Sequence, residues 1–166
     1  MDINRLIGDI HTHYLYQFNQ KRIAFDFEPA PVILDASTLR PAQGNASLSA
    51  NLDPARFTQV LTNILDNALH YTPEGGRVVI SARQSGDQVE VAIQDNGPGV
   101  TAEEATRIFE RFYRIDPSRT RDDGGSGLGL AIAKSIVEMH KGKIWAESEK
   151  GRGVKMIIQI PMIETN

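Results

Sequence analysis

The segment from Asp53 to Gly76 constrains this chain most. Aspartate is a good helix N-cap, and Pro54 suits the first helical position, where its missing N–H is no loss. Phe57, Val60, Leu61, Ile64, Leu65 and Ala68 then recur as one apolar stripe, and Pro73-Glu74-Gly75-Gly76 ends the helix. Such a stripe must be covered, so the fold needs a second layer to receive it. Asn63 and Asn67 stand along its flank. At ~100° per residue they lie only ~40° apart, so both amide carbonyls can converge on one cation or polar ligand.

Hydrophobic periodicity places the remaining elements. Leu6, Ile7, Ile10, Tyr14 and Phe18 predict a helix over 3–20. Alternation predicts strands over 23–27, 46–52, 77–83 and 89–94, the last two joined by a turn at Gly86-Asp87. A helix over 128–140 ends at Gly142, and strands follow over 144–148 and 154–160. Strands interleaved with long amphipathic helices predict an α+β fold, a mixed sheet covered on one face by helices.

Two glycine-rich segments carry further chemistry. In DNGPG, 95–99, the Asp95 carboxylate should sit at a sheet end, able to accept from an exocyclic amine such as that of adenine. Gly97 and Gly99 let backbone and base approach closely. In GGSGLGL, 124–130, a helix begins within the run, so the unsatisfied N–H groups of Gly127, Leu128 and Gly129 can cradle phosphates. Taken singly, each segment is ordinary turn or helix chemistry; together, and in this order, they imply a nucleotide pocket. It is neither a dinucleotide fingerprint, since Ala131-Ile132 stand where that pattern needs its last glycine, nor a P-loop, since no lysine of that motif is present.

Residues 100–126 read as a mobile cover. Thr101 to Glu104 is a capping pattern that opens a short helix to about Phe109, and Phe109 and Phe112, three apart, are expected to anchor it on the core. From Arg114 to Ser126, Ile115 is the only large apolar residue, while Arg114, Arg119 and Arg121 can fold over phosphates with their forked donors.

Composition excludes several classes. A formal net charge of -3 gives no general affinity for nucleic acid or acidic membranes. Without cysteine there are no disulfides and no thiolate metal sites. No apolar run approaches the roughly 18 residues of a membrane span, and no secretory signal is visible, so a cytoplasmic setting without membrane contact is expected.

NILDNALHYT, DNGPG, IFERFYR and GGSGLGLAI, at these spacings, resemble the N, glycine, phenylalanine and second glycine boxes of the ATP-binding catalytic domain of sensor histidine kinases, within the GHKL superfamily. The resemblance covers about 52–160. It implies a Bergerat-type two-layer α/β sandwich, about five strands under about three helices, with a mobile ATP lid. It implies ATP and Mg²⁺ as cofactors, with Asn63 and Asn67 on the metal and phosphates and Tyr71 along adenine and ribose. Asp95, Gly97 and Gly99 would hold adenine; Arg114 and Arg119 would reach the phosphates, where Gly125, Gly127, Leu128 and Gly129 line the loop. At position 70, near the phosphates, the family often has lysine where this chain has His70.

The resemblance also implies an acceptor that this sequence lacks. Histidine kinases phosphorylate a histidine followed by an acidic residue and soon by proline, and His11, His13, His70 and His140 lie in no such context. Residues 1–22 are therefore expected to lead in from a dimerising phosphoacceptor hairpin, with 23–166 the ATP-binding domain. The implied partners are that hairpin domain and a response regulator; the piece itself is expected to be monomeric, and the full-length protein membrane-anchored. Two other readings are a GHKL ATPase, whose members usually carry a glutamate base where this chain has Asn63, and a nucleotide-dependent partner-binding module.

Overall fold

The computed structural model describes residues 1–29, 48–115 and 126–162. In chain order the elements are α1 (Ile3–Gln20), β1 (Ala24–Glu28), α2 (Pro54–Tyr71), β2 (Arg77–Ser85), β3 (Gln88–Asp95), α3 (Ala102–Arg107), α4 (Gly129–Met139), β4 (Lys143–Ser148) and β5 (Val154–Pro161). The strands form one sheet in the order β1-β2-β3-β5-β4, with β1 parallel to β2 and every other pair antiparallel. The expected mixed five-stranded α+β fold is what the chain adopts, with three long helices and the six-residue α3 among the described residues.

Local chemistry sets the helix starts. The Asp53 carboxylate accepts from the amides of Ala55 and Arg56, and Pro54 follows as expected. Asp2 caps α1 by accepting from the Arg5 amide. Helix α1 then turns Ile3, Leu6, Ile7, Ile10, Tyr14 and Phe18 inward, into the same core that receives Phe57, Val60, Leu61, Ile64 and Leu65 of α2. Ala133, Ile136 and Val137 of α4 complete the helical layer.

The sheet meets these helices with every second residue. Val78, Ile80 and Ala82 of β2 lie beside Val89, Val91 and Ile93 of β3, and then beside Met156, Ile158 and Ile160 of β5. Burying one such side chain contributes about 1.5–3 kcal/mol, so these rows fix the register: a one-residue slip would turn them all to the opposite face. On that face the cross-strand row Arg83, Glu90, Gln159 satisfies a buried carboxylate. Glu90 accepts from Arg83 at 2.8 Å through one oxygen and from Gln159 at 3.1 Å through the other.

One strand expectation fails. Residues 46 and 47 lie outside the described residues, and the rest of 46–52 forms only two isolated bridges, Asp2 with Ser49 and Ala50 with Met162. Leu48, Ala50 and Leu52 are buried with strand-like period, but their neighbours are a helix cap and a strand end, each able to pair at one residue only. No helix among the described residues is long and apolar enough to cross a membrane.

Candidate functional site

A cleft of about 670 Å³ opens between α2, the ends of β3 and β5, and the start of α4. Asn63, Asn67, His70, Tyr71, Asp95, Gly99, Arg114, Gly127 and Gly129, all anticipated from sequence, line it together. Gly97 and Leu128 are not among its lining residues, and Arg119 and Gly125 lie outside the described residues.

The two asparagines are held by their amide nitrogens. Asn63 Nδ2 donates to the Gly129 carbonyl at 2.9 Å, and Asn67 Nδ2 donates to the Asn63 carbonyl at 3.1 Å. A backbone carbonyl can only accept, which fixes the NH₂ end of each amide and assigns the other end to the oxygen. Those oxygens are the neutral donors a hard cation takes when phosphates already bring the charge, so the pair fits Mg²⁺ bound to a nucleotide. Among the described residues no cluster of three His, Cys, Asp or Glu offers an alternative metal site.

Across the cleft, α4 starts without a side-chain cap. Its N-cap residue is Leu128, whose own amide lies 3.3 Å from Ser126 Oγ. The first-turn N–H groups and the positive end of the helix dipole therefore face the cleft with no side chain serving them, as suits an incoming anion.

The opposite end rests on the sheet. Asp95, the last residue of β3, accepts on Oδ1 from the amides of Gly97 at 2.8 Å and Val154 at 3.3 Å. Burial pushes its pKa up, and the two amides pull partly against that. Gly97 thus serves the site from behind, by holding Asp95. Nearby the His70 ring stands edge-on to Tyr71 at 4.6 Å, and Lys21 Nζ, at the end of α1, donates to the carbonyls of Leu69 and His70.

The phenylalanine segment departs from expectation. Ile108 and Phe109 pack against the core, but Phe112 is 71% exposed and anchors nothing. Its amide donates to the Gly127 carbonyl at 3.0 Å, and its φ of 63° is a left-handed conformation that turns the ring outward. The next residue, Tyr113, lines the cleft, with its ring 4.5 Å from the Arg107 guanidinium.

Sequence reasoning missed Asp66 and the apolar walls. Asp66 lines the cleft and accepts from Tyr14 Oη at 2.7 Å; burial and the neighbouring carboxylate both raise the phenol's pKa, so the proton stays on Tyr14. The signal was present, since Asp66 sits three residues after Asn63 on the same helix face. Ile93, Leu130, Val154 and Met156 gave none, because only strand and helix adjacency brings them together.

Comparisons with known proteins agree with this geometry. Residues 52–164 match the family described as histidine kinase-, DNA gyrase B-, and HSP90-like ATPase. Over 119 residues, 70% of this chain, the sequence is 43% identical to sensor histidine kinase WalK of Bacillus subtilis (strain 168), and the match spans 20% of that protein's length. The catalytic domain of histidine kinase ThkA superposes with a TM-score of 0.77 at 29% identity, covering 98% of this chain and 93% of that one. ThkA has also been solved with the response regulator protein TrrA (TM-score 0.74, 27% identity, 98% and 41% covered). Full-length ShkA in complex with AMPPNP gives a TM-score of 0.80 at 25% identity, over 99% of this chain and 31% of that one.

Proposed function

The chain belongs to the histidine kinase-, DNA gyrase B-, and HSP90-like ATPase family, and from that premise we propose that it binds Mg-ATP and passes the γ-phosphate to a histidine on a separate dimerisation domain, as the catalytic part of a two-component sensor kinase. The observation that carries this reading is the cleft itself. Paired amides, an uncapped helix start and a half-buried carboxylate converge on one space of nucleotide size.

In this reading Asn63 and Asn67 hold Mg²⁺ and the phosphates, and the metal supplies charge neutralisation there. The amides that open α4, from Gly127 to Gly129, take phosphate oxygens, with Arg114 beside them. Arg119 and Gly125 keep the phosphate-side roles that the resemblance gives them. His70 stands near the phosphates, Tyr71 lies along adenine and ribose, and Asp95 accepts from the adenine amine while Gly97 holds it and Gly99 leaves room for the base. Transfer then rests on positioning and electrostatics, with the acceptor brought from outside.

Residues 1–22 connect, in this proposal, to the phosphoacceptor hairpin, and a response regulator receives the phosphoryl group next. The chain works on the cytoplasmic side of a membrane-anchored kinase. Mixing it with γ-labelled ATP and purified histidine hairpins tests the whole reading. Label on a hairpin supports kinase function, release as free phosphate points to an ATPase, and label that stays on ATP reduces the chain to a binding module.

A further inference from the structure

The turn 149–153, between β4 and β5, contributes nothing to the cleft's lining, yet it is held against the DNGPG turn at several points. Gly151 donates to the Pro98 carbonyl at 2.6 Å, and the Val100 amide donates to Ser148 Oγ at 2.8 Å. The Ser148 hydroxyl in turn donates to the Gly153 carbonyl at 2.7 Å. The Val154 amide reaches Asp95 Oδ1 at 3.3 Å. The packing leaves no slack: a Cβ on Gly99 would collide with the Glu149 carbonyl, and one on Gly153 with that of Asp95, and both glycines have positive φ.

Two of these bonds belong to one rigid body. The Gly153 carbonyl and the Val154 N–H are opposite sides of a single planar peptide. Ser148 grips its oxygen while its N–H faces the Asp95 carboxylate, so the hydroxyl sets the rotation of the plane that aims Asp95. Only a side chain that accepts and donates at once can join the Val100 amide to the Gly153 carbonyl, and a hydroxyl does both.

We propose that Ser148 is a positioning residue for base selection: through the Gly153–Val154 peptide it orients the Asp95 carboxylate that reads the nucleobase. The proposal rests on the reading of Asp95 given above and adds a residue that touches no ligand. Its consequence concerns discrimination more than affinity. Turning the peptide would misdirect the acceptor for an amine and leave the phosphate end of the cleft untouched.

The test measures ATP and GTP binding to the 166-residue chain by calorimetry for wild type, Ser148→Ala and Ser148→Thr, with thermal unfolding alongside. Losing one well-placed hydrogen bond should lower the ATP-to-GTP affinity ratio by about three- to tenfold in Ser148→Ala. Ser148→Thr, which keeps the hydroxyl, should restore it. In an Asp95→Asn background the alanine change should no longer alter the ratio. Equal weakening of both nucleotides, or an unchanged ratio, would show that Ser148 only braces the turn. A wild-type chain with no preference for ATP would overturn the reading of Asp95 itself, a result distinct from the failure of Ser148 alone. Should Ser148→Ala not fold, Ser148→Cys keeps the volume while weakening both bonds, and the same fall in ratio is expected of it.

Discussion

At one end of the cleft Asp95 closes a strand and carries two backbone amides on one oxygen; at the other, Asn63 and Asn67 face a helix start that has no side-chain cap. The first, the base end in the proposed function, is built from sheet and tight turns, and the Asp95 oxygen there is engaged before any ligand arrives; the second is the proposed phosphate end. The phosphate end keeps acceptors on α2 and donors on α4 for a ligand to use. On the proposed reading, selectivity and strength of binding are lodged in different structures, one internally satisfied, the other completed by the nucleotide.

The sharpest way to break this division is at Asn63, which both touches α4 and presents an oxygen to the cleft. Asn63→Ala should reduce phosphoryl transfer to an added hairpin by roughly 100-fold or more, the usual cost of removing a group that stabilises developing charge. Adenosine binding, which needs only the other end, should change little. If calorimetry shows adenosine and ATP weakened alike, the two ends are not independent.

Asp95→Asn probes the opposite end and should have the next largest effect. A charged acceptor for a buried amine is worth about 1.5–3 kcal/mol, so ATP affinity should fall roughly 10- to 100-fold while GTP affinity stays nearly unchanged. Equal, small changes for both nucleotides would make Asp95 a turn residue and nothing more.

The same carboxylate gives a pH dependence whose sign is fixed. Its pKa in the fold is raised, mainly by burial. The apo chain therefore loses stability as pH climbs from the ordinary carboxylate value to the raised one, because the charge then forms in a desolvated place. Adenine's amine donates more strongly to the ionised form, so ATP affinity should rise over the same window and level off above it. His70 also lines the cleft. A parallel series with Asp95→Asn isolates the aspartate: its ATP affinity should lack that rise, and a profile matching wild type would remove Asp95 as the cause.

The two ends also differed in how well the sequence announced them. Helix α2 was legible from cap to stop, because its signals are local: Asp53, Pro54, a 3.6-residue stripe, then Pro73 and Gly75. The asparagine pair came with it. The sheet's core rows were legible from alternation, but not which strands would be neighbours, so Val154 and Met156 of β5 could not be assigned to the cleft beside Ile93 of β3. Phe112 failed for a related reason. Spacing three from Phe109 predicts a shared face only while the chain stays helical, and α3 ends at Arg107, before the left-handed turn at 112. The alternation at 48–52 was real burial without a strand to pair with, since periodicity reports which side chains go inside and says nothing of hydrogen-bond partners.

The smallest expected effect bears on why the phosphate end was left open. Gly129 begins α4, and a Cβ there would lie 3.6 Å from the Asn63 side chain, an ordinary contact that the apo fold accepts. Its backbone is not left-handed, so no conformational demand requires glycine. Gly129→Ala should therefore stabilise the folded chain, by about 0.5 kcal/mol from the reduced freedom of the unfolded state. The added methyl would occupy the approach to the helix amides, so ATP affinity should fall a few-fold while adenosine affinity holds. Thermal unfolding and calorimetry on one variant measure both sides of this exchange. A glycine that costs stability without ligand and returns affinity with it is the mark of a surface reserved for phosphate; higher stability with unchanged ATP binding would show that the phosphates never come this close to α4.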